Sequence, residues 1–355
     1  MADPICKVVD IVFVRFELAD LEAQKEYLLH FGMRPALETG DAIYFKGTGS
    51  DPFIYAATKG AENQFVSSGY RVGARADLER LADHFDVDIV QSTEPGGGEK
   101  VVLSDPDGLG VEVFYGMERT ASPARHAPAL NSGFDKPRQN HLQRFGKAAD
   151  EWQAHDGKLV YELTSNVMRL GHTAINVADA KRSMDWYAQT LGFLVSDNIV
   201  APGDILMGAF MRCDLGDTPA DHHTINITAL PPHQAEFHGT FGHAGYELTE
   251  SVDDLMAGHF HMKTIEKYTH EWGVGRHLLG SQMYDYWRDP AGFILEHWTD
   301  GDLLDASAPP VDAPARDAIL AQYGPVVPST FNLSMPNEAV EEVRETVPSL
   351  SALFF

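Results

Sequence analysis

Apolar and polar positions along the chain run through one order of elements twice. Residues 8–45 alternate as a strand (VVDIVFVRFEL), switch to helical spacing, and return to a strand at AIYF. Asp20 stands where a helix N-cap is expected. Leu21, Tyr27, Leu28 and Phe31 share one helical face, and Gly32 ends the helix. Residues 170–210 repeat this pattern: Leu18-Ala19-Asp20 returns as Val177-Ala178-Asp179, and Phe31-Gly32-Met33 as Leu191-Gly192-Phe193. The repeat continues, because SSGYRV at 67–72 resembles HAGYEL at 243–248, and each precedes an acidic helical stretch. DPDGLGVEVFYG at 105–116 resembles DPAGFILEHW at 289–298, and both place a Glu seven residues after an Asp-Pro turn. Two modules follow, near 5–120 and 165–300. A polar linker, 121–164, has room for one short helix. The Pro- and Ala-rich tail, 302–355, carries an amphipathic stretch near 337–346.

Composition narrows the classes. A chain of 355 residues is roughly two to three times a typical single domain, so at least two cores are expected. With 44% hydrophobic and 22% charged residues it reads as globular. A net charge of -25, from 27 basic and 52 acidic side chains, argues against nucleic acid and anionic membranes, which need clustered Lys and Arg. No apolar run approaches the ~20 residues of a membrane span, and the start, MADPICKVVD, has no signal-peptide core. Two cysteines, Cys6 and Cys213, make neither a disulfide framework nor a multi-Cys zinc site. A cytoplasmic protein with reduced thiols is the expectation.

Sixteen residues are His, and eleven of these fall between His172 and His297. On alternating strands, His172, Ala174 and Asn176 share a face, as do His243, Gly245 and Glu247, and Ile294, Glu296 and Trp298. Three neighbouring strands would bring His172, His243 and Glu296 to one point. Two imidazoles and one carboxylate leave coordination positions open; non-haem Fe(II) oxygenases use this set, and zinc and manganese also accept it. In the first module the matching positions are Phe13, Ser67 and Glu112. Phe cannot bind a metal, so a metal is expected in the C-terminal module only, with Glu112 a structural or solvent-facing carboxylate.

These residues resemble the extradiol (meta-cleaving) catechol dioxygenases of the vicinal oxygen chelate superfamily, in the two-domain type. The resemblance covers both modules and is most specific over 170–298. It rests on Gly171-His172, Asp221-His222-His223-Thr224, Gly242-His243, Gly275-Arg276-His277, Asp285-Tyr286 and Leu295-Glu296, in that order. From His277 to Tyr286 is nine residues, and from Tyr286 to Glu296 ten. The fold it implies is α+β, with two tandem domains (1–120 and 165–301), each a pair of βαβββ modules forming a partly open barrel. It implies Fe(II), or Mn(II) in some members, on His172, His243 and Glu296, with a catechol and O2 as substrates. His223 would be the acid/base, and His277 and Tyr286 hydrogen-bond donors near the substrate oxygens. Assembly into homo-oligomers is expected by analogy with the family.

Other readings compete. His222 rivals His223, and a strand would put the two on opposite faces. Tyr284 shares a face with Tyr286 and is an alternative barrel aromatic. His233, His238, His259, His261 and His270 read as solvated loop or helix-surface residues, and His297 should point away from Glu296. An acidic ring substituent would call for a cation such as Arg276, Lys263, Lys267 or Arg288. A glyoxalase-like isomerase or epimerase would use a fourth protein ligand, often Glu. A sequestering protein on the same scaffold would lack the ligands in both modules.

Overall fold

The computed structural model describes residues 3–121, 131–136, 153–155, 158–160, 165–249, 252–347 and 349–350. The short helix expected in the linker lies outside them. The first module supplies β1 (Val8–Leu18), α1 (Leu21–His30), β2 (Arg34–Glu38), β3 (Ala42–Lys46) and β4 (Tyr55–Lys59). It continues with β5 (Gln64–Val72), α2 (Arg75–Phe85), β6 (Val90–Gln91), β7 (Glu99–Ser104) and β8 (Gly110–Tyr115). These strands form one sheet in the order β2-β3-β4-β1-β5-β8-β7-β6. A small antiparallel pair follows, β9 (Gln153–His155) and β10 (Lys158–Val160).

The second module repeats the scheme with β11 (Val167–Val177), α3 (Ala180–Leu191), β12 (Leu194–Ala201), β13 (Ile205–Arg212), β14 (Ala220–Asp221) and β15 (Ile225–Ala229). Then come β16 (Thr240–Leu248), α4 (Val252–Ile265), β17 (His270–His277), β18 (Met283–Arg288) and β19 (Ile294–Thr299). The tail adds β20 (Leu303–Leu304), β21 (Val311–Pro314), β22 (Ala321–Tyr323) and α5 (Asn337–Thr346). The larger sheet runs β21-β12-β13-β15-β11-β16-β19-β18-β17-β22. Without the two tail strands, its order is that of the first sheet. In each, two βαβββ units meet at an antiparallel junction, β1 with β5 and β11 with β16.

Local chemistry starts the helices where the sequence reading puts them. Asp20 accepts from the Ala23 amide at 3.0 Å and Asp179 from the Arg182 amide at 2.9 Å. The Asp-Pro turns brace one module on the other. Asp105 accepts from the Asp107 and Leu109 amides and from the Tyr187 hydroxyl of α3 at 3.1 Å. Asp289 accepts from the Ala291 and Phe293 amides and from Gln24 of α1 at 2.9 Å. Phe16 packs on Phe241 and Phe293 in a core continuous across both modules. Both cysteines are free and buried within it, and burial pushes each thiol up to about 12, which leaves them protonated and inert.

Candidate metal centre

Strand register lines up the site in one row. His172 pairs with Gly245, Gly245 with Glu296, and Glu296 with Tyr286, across β11, β16, β19 and β18. His243 lies two residues before Gly245 and so shares its face. Gly245 allows the row to close, since a Cβ there would stand 2.2 Å from the His172 ring and 2.7 Å from Glu296 Oε2. The donor atoms of His172, His243 and Glu296 lie within 4.8 Å of one another. The two Nε2 atoms are 3.2 Å apart, and Glu296 Oε2 is 2.8 Å from that of His172 and 3.7 Å from that of His243.

These atoms face a shared centre rather than one another. Glu296 is fully buried, yet among the described residues neither of its oxygens has an aligned hydrogen-bond partner. Burial pushes its carboxyl up, but the imidazoles of His172, His277 and His243 outweigh that and hold it well below the usual carboxylate range. Burial pushes His243 down to about 4, so its ring is neutral at pH 7. A buried, ionised carboxylate without hydrogen bonds, facing imidazole nitrogens, is costly unless a cation completes it. The donor set therefore fits a divalent transition-metal ion.

The first module shows the alternative. The same row reads Phe13, Gly69, Glu112, with Ser67 at the place of His243 and Arg15 opposite it. Glu112 is buried and structural, as expected: it accepts from Arg15 Nε at 2.7 Å, Lys100 Nζ at 2.6 Å and Ser67 Oγ at 2.5 Å. Phe13 fills the rest against Phe53 and Phe114. Two side-chain cations meet this carboxylate, whereas Glu296 faces imidazole nitrogens.

A cavity of about 260 Å³ opens beside the triad, with His223, His243, His277 and Tyr286 on its wall. Strands from both arms of the sheet line it (Ile199 and Phe210 on one side, His277 and Tyr286 on the other), so the sheet curls around it. His277 Nε2 is 2.9 Å from the Tyr286 hydroxyl and 3.8 Å from Glu296 Oε1. Tyr284 stacks on His277 with centroids 4.1 Å apart and does not line the cavity. His223 packs on His172, with ring centroids 4.2 Å apart. Burial, then the neighbouring imidazoles, hold His223 well below the usual imidazole range and so neutral.

Several expectations need correction. His222 and His223 are not on opposite faces: they sit in the bend between β14 and β15, where alternation does not apply. Both rings turn inward, and their Nδ1 atoms are 3.2 Å apart. His259 and His261 are buried, not solvated. His259 and His270 both bond Asp285, which also accepts from Trp287 Nε1 at 2.7 Å. That cluster has metal-like spacing too, but its carboxylate is hydrogen-bonded on both oxygens, so it is a closed network. His233 is exposed, as expected, at the edge of the cavity, and half-buried His238 bonds the Leu230 carbonyl. His297 points away from the site as expected, with Nε2 2.7 Å from the Phe31 carbonyl.

The tail contributes residues that no sequence signal revealed. Asn332 Oδ1 lies 2.5 Å from His243 Nδ1, across 89 positions of chain. Phe331 packs against Tyr286 at 4.9 Å and His243 at 5.7 Å. Arg288 and Arg344 hold this segment through buried Glu271, and Arg288 also donates to the Thr330 and Leu333 carbonyls.

Comparison with known proteins finds relatives in sequence and in fold. The chain is 29% identical over 247 residues to Metapyrocatechase 2 of Cupriavidus necator, spanning 68% of this chain and 66% of that protein. Its fold matches the Mn(II)-bound glyoxalase of Novosphingobium aromaticivorans (TM-score 0.71, 22% identity, 96% of this chain and 99% of that one). It equally matches homoprotocatechuate 2,3-dioxygenase of Brevibacterium fuscum (TM-score 0.71, 16% identity, 93% of each chain). Residues 169–296, which carry all three donors of the triad, match the Glyoxalase/Bleomycin resistance protein/Dioxygenase superfamily.

Proposed function

We propose that this protein is an extradiol ring-cleaving dioxygenase acting on catechols with an uncharged, apolar ring substituent. The observation that carries the reading is the unpartnered Glu296 carboxylate facing His172 and His243 at the base of a cavity walled by His223, His277 and Tyr286. His172, His243 and Glu296 would hold Fe(II) or Mn(II), whose one-electron chemistry lets a closed-shell catechol react with O2.

The chain's own residues supply the proton chemistry. The His222 Nε2–H donates to Asp197 at 2.7 Å, which leaves its Nδ1 to accept from the His223 Nδ1–H. His223 Nε2 is then a free lone pair, able to take a proton from a substrate hydroxyl and later return it. Burial holds the Tyr286 phenol well above its ordinary range, so it stays a donor. Tyr286 and His277 can stabilise negative charge developing on substrate oxygens.

Cavity chemistry supports the substituent. Ile199, Met207, Leu279, Ile319, Phe331 and Leu333 line it, and among the described residues no Lys or Arg does. Three of the four cations considered for an acidic group are engaged elsewhere, Arg276 with Asp300 at 2.7 Å, Arg288 with Glu271 at 2.5 Å, and Lys267 with Glu26, and exposed Lys263 does not line the cavity. An unpaired carboxylate in such a wall would carry its desolvation cost uncompensated. The isomerase reading calls for a fourth ligand, often a second carboxylate, and among the described residues the cluster has one.

The test is turnover by anaerobically prepared, Fe(II)-loaded protein. Alkyl- and arylcatechols should give a yellow product with one O2 consumed per ring, and 3,4-dihydroxyphenylacetate should be a poor substrate. Retention of zinc alone, with no O2 uptake on any catechol, would overturn the reading.

A further inference from the structure

We infer that Asn332, from the C-terminal segment, is a positioning residue for His243, holding its ring with Nε2 toward the metal; this rests on the metal reading above. A carboxamide oxygen 2.5 Å from His243 Nδ1 can only accept. The ring proton therefore sits on Nδ1, and Nε2 keeps the lone pair that a metal needs. Among the described residues His172 has no such partner, and its Nδ1 is buried without a hydrogen bond. Of the two imidazoles, His243 is the one whose tautomer the chain fixes.

The oxygen is delivered by a segment anchored on both sides. Asn332 has φ +63°, a left-handed conformation that Asn tolerates better than most residues. Its own carbonyl accepts from Asn176 Nδ2 at 2.7 Å, on the strand that carries His172. Before it, the Thr330 carbonyl accepts from buried Arg288 at 2.8 Å; after it, Ser334 donates at 2.6 Å to the carbonyl of Phe241, two residues from His243. The Phe331 ring lies 5.7 Å from that of His243, which restricts its rotation. Segment 330–334 thus closes the cavity and orients a ligand at once.

Mn(II) titration of metal-free protein, by calorimetry and by the loss of the free-ion paramagnetic signal, tests the role without turnover. Asn332→Gly deletes the amide while keeping a left-handed backbone unstrained. It should weaken Mn(II) binding by about 10–100-fold, the usual cost of losing the partner of a ligating His. The melting temperature of the metal-free protein should stay near that of the parent. Asn332→Asp restores an acceptor and should return affinity to near the parent value. Parental affinity in Asn332→Gly, or equal weakness in Asn332→Asp, would overturn the role. A parent that binds no Mn(II), or binds it as well as His172→Ala does, would instead overturn the metal reading beneath it.

Discussion

His222 and His223 face each other through their Nδ1 atoms at 3.2 Å, and the far nitrogen of His222 reaches Asp197 at 2.7 Å. The pair reconciles two rival candidates: His223 meets the cavity, and His222 orients it. His223→Ala should keep the metal and lower kcat by about 10²–10⁴-fold, the range for a lost acid/base. Asp197→Ala should lower kcat by about tenfold, since it frees the tautomer without removing the base. Steady-state kinetics beside metal content checks both. An active His223→Ala would return the acid/base role to another group.

Glu296→Ala and His172→Ala should each empty the site and end turnover together, read by elemental analysis after desalting. Glu112→Ala is the matched control in the first module. Its cations are already part of the protein, so metal content should stay unchanged. Stability should fall by about 1–3 kcal/mol as Arg15 and Lys100 lose one acceptor and keep only Glu94.

Glu271 is fully buried and ties Arg288 and Arg344 to the tail. Glu271→Leu strands the Arg288 charge and should cost about 3–5 kcal/mol in urea unfolding. The segment after residue 325 should also become the first site of limited proteolysis. If neither changes, the ion pair does not hold the tail.

Asp289 carries a pH signature. Burial pushes its carboxyl up to about 7, only partly offset by the Phe293 amide, Gln24 and the other donors around it. Its folded value lies above its unfolded one, so its stabilising contribution is full below about pH 4 and is lost as pH rises through about 7. Asp289→Asn should flatten this decline and raise stability at neutral pH. The new amide can also meet Gln24 Oε1, which is buried without a partner among the described residues. Denaturation curves between pH 4 and 8 measure the slope; an unchanged slope would assign it elsewhere.

The repeated strand–helix order and the two Asp-capped helices were legible because they rest on local patterning. So was the equivalence of His172, His243 and Glu296 with Phe13, Ser67 and Glu112, which the strand register reproduces. Alternation fixes a face within one strand, and the repeat supplies the comparison. His259 and His261 were misread as solvated because exposure is set by what packs together, here α4 against β17, β18 and β19.

By itself, then, the sequence determined which residues could be donors and on which strands they lie, since strand geometry is periodic and short in range. Only the tertiary structure decided what surrounds them. Asn332 reaches His243 from 89 residues away, and Asp197 reaches His222 across 25 positions. Arg288, available on paper for a substrate carboxylate, is consumed by Glu271. Such contacts depend on how distant segments are anchored against each other, and no local spacing encodes that.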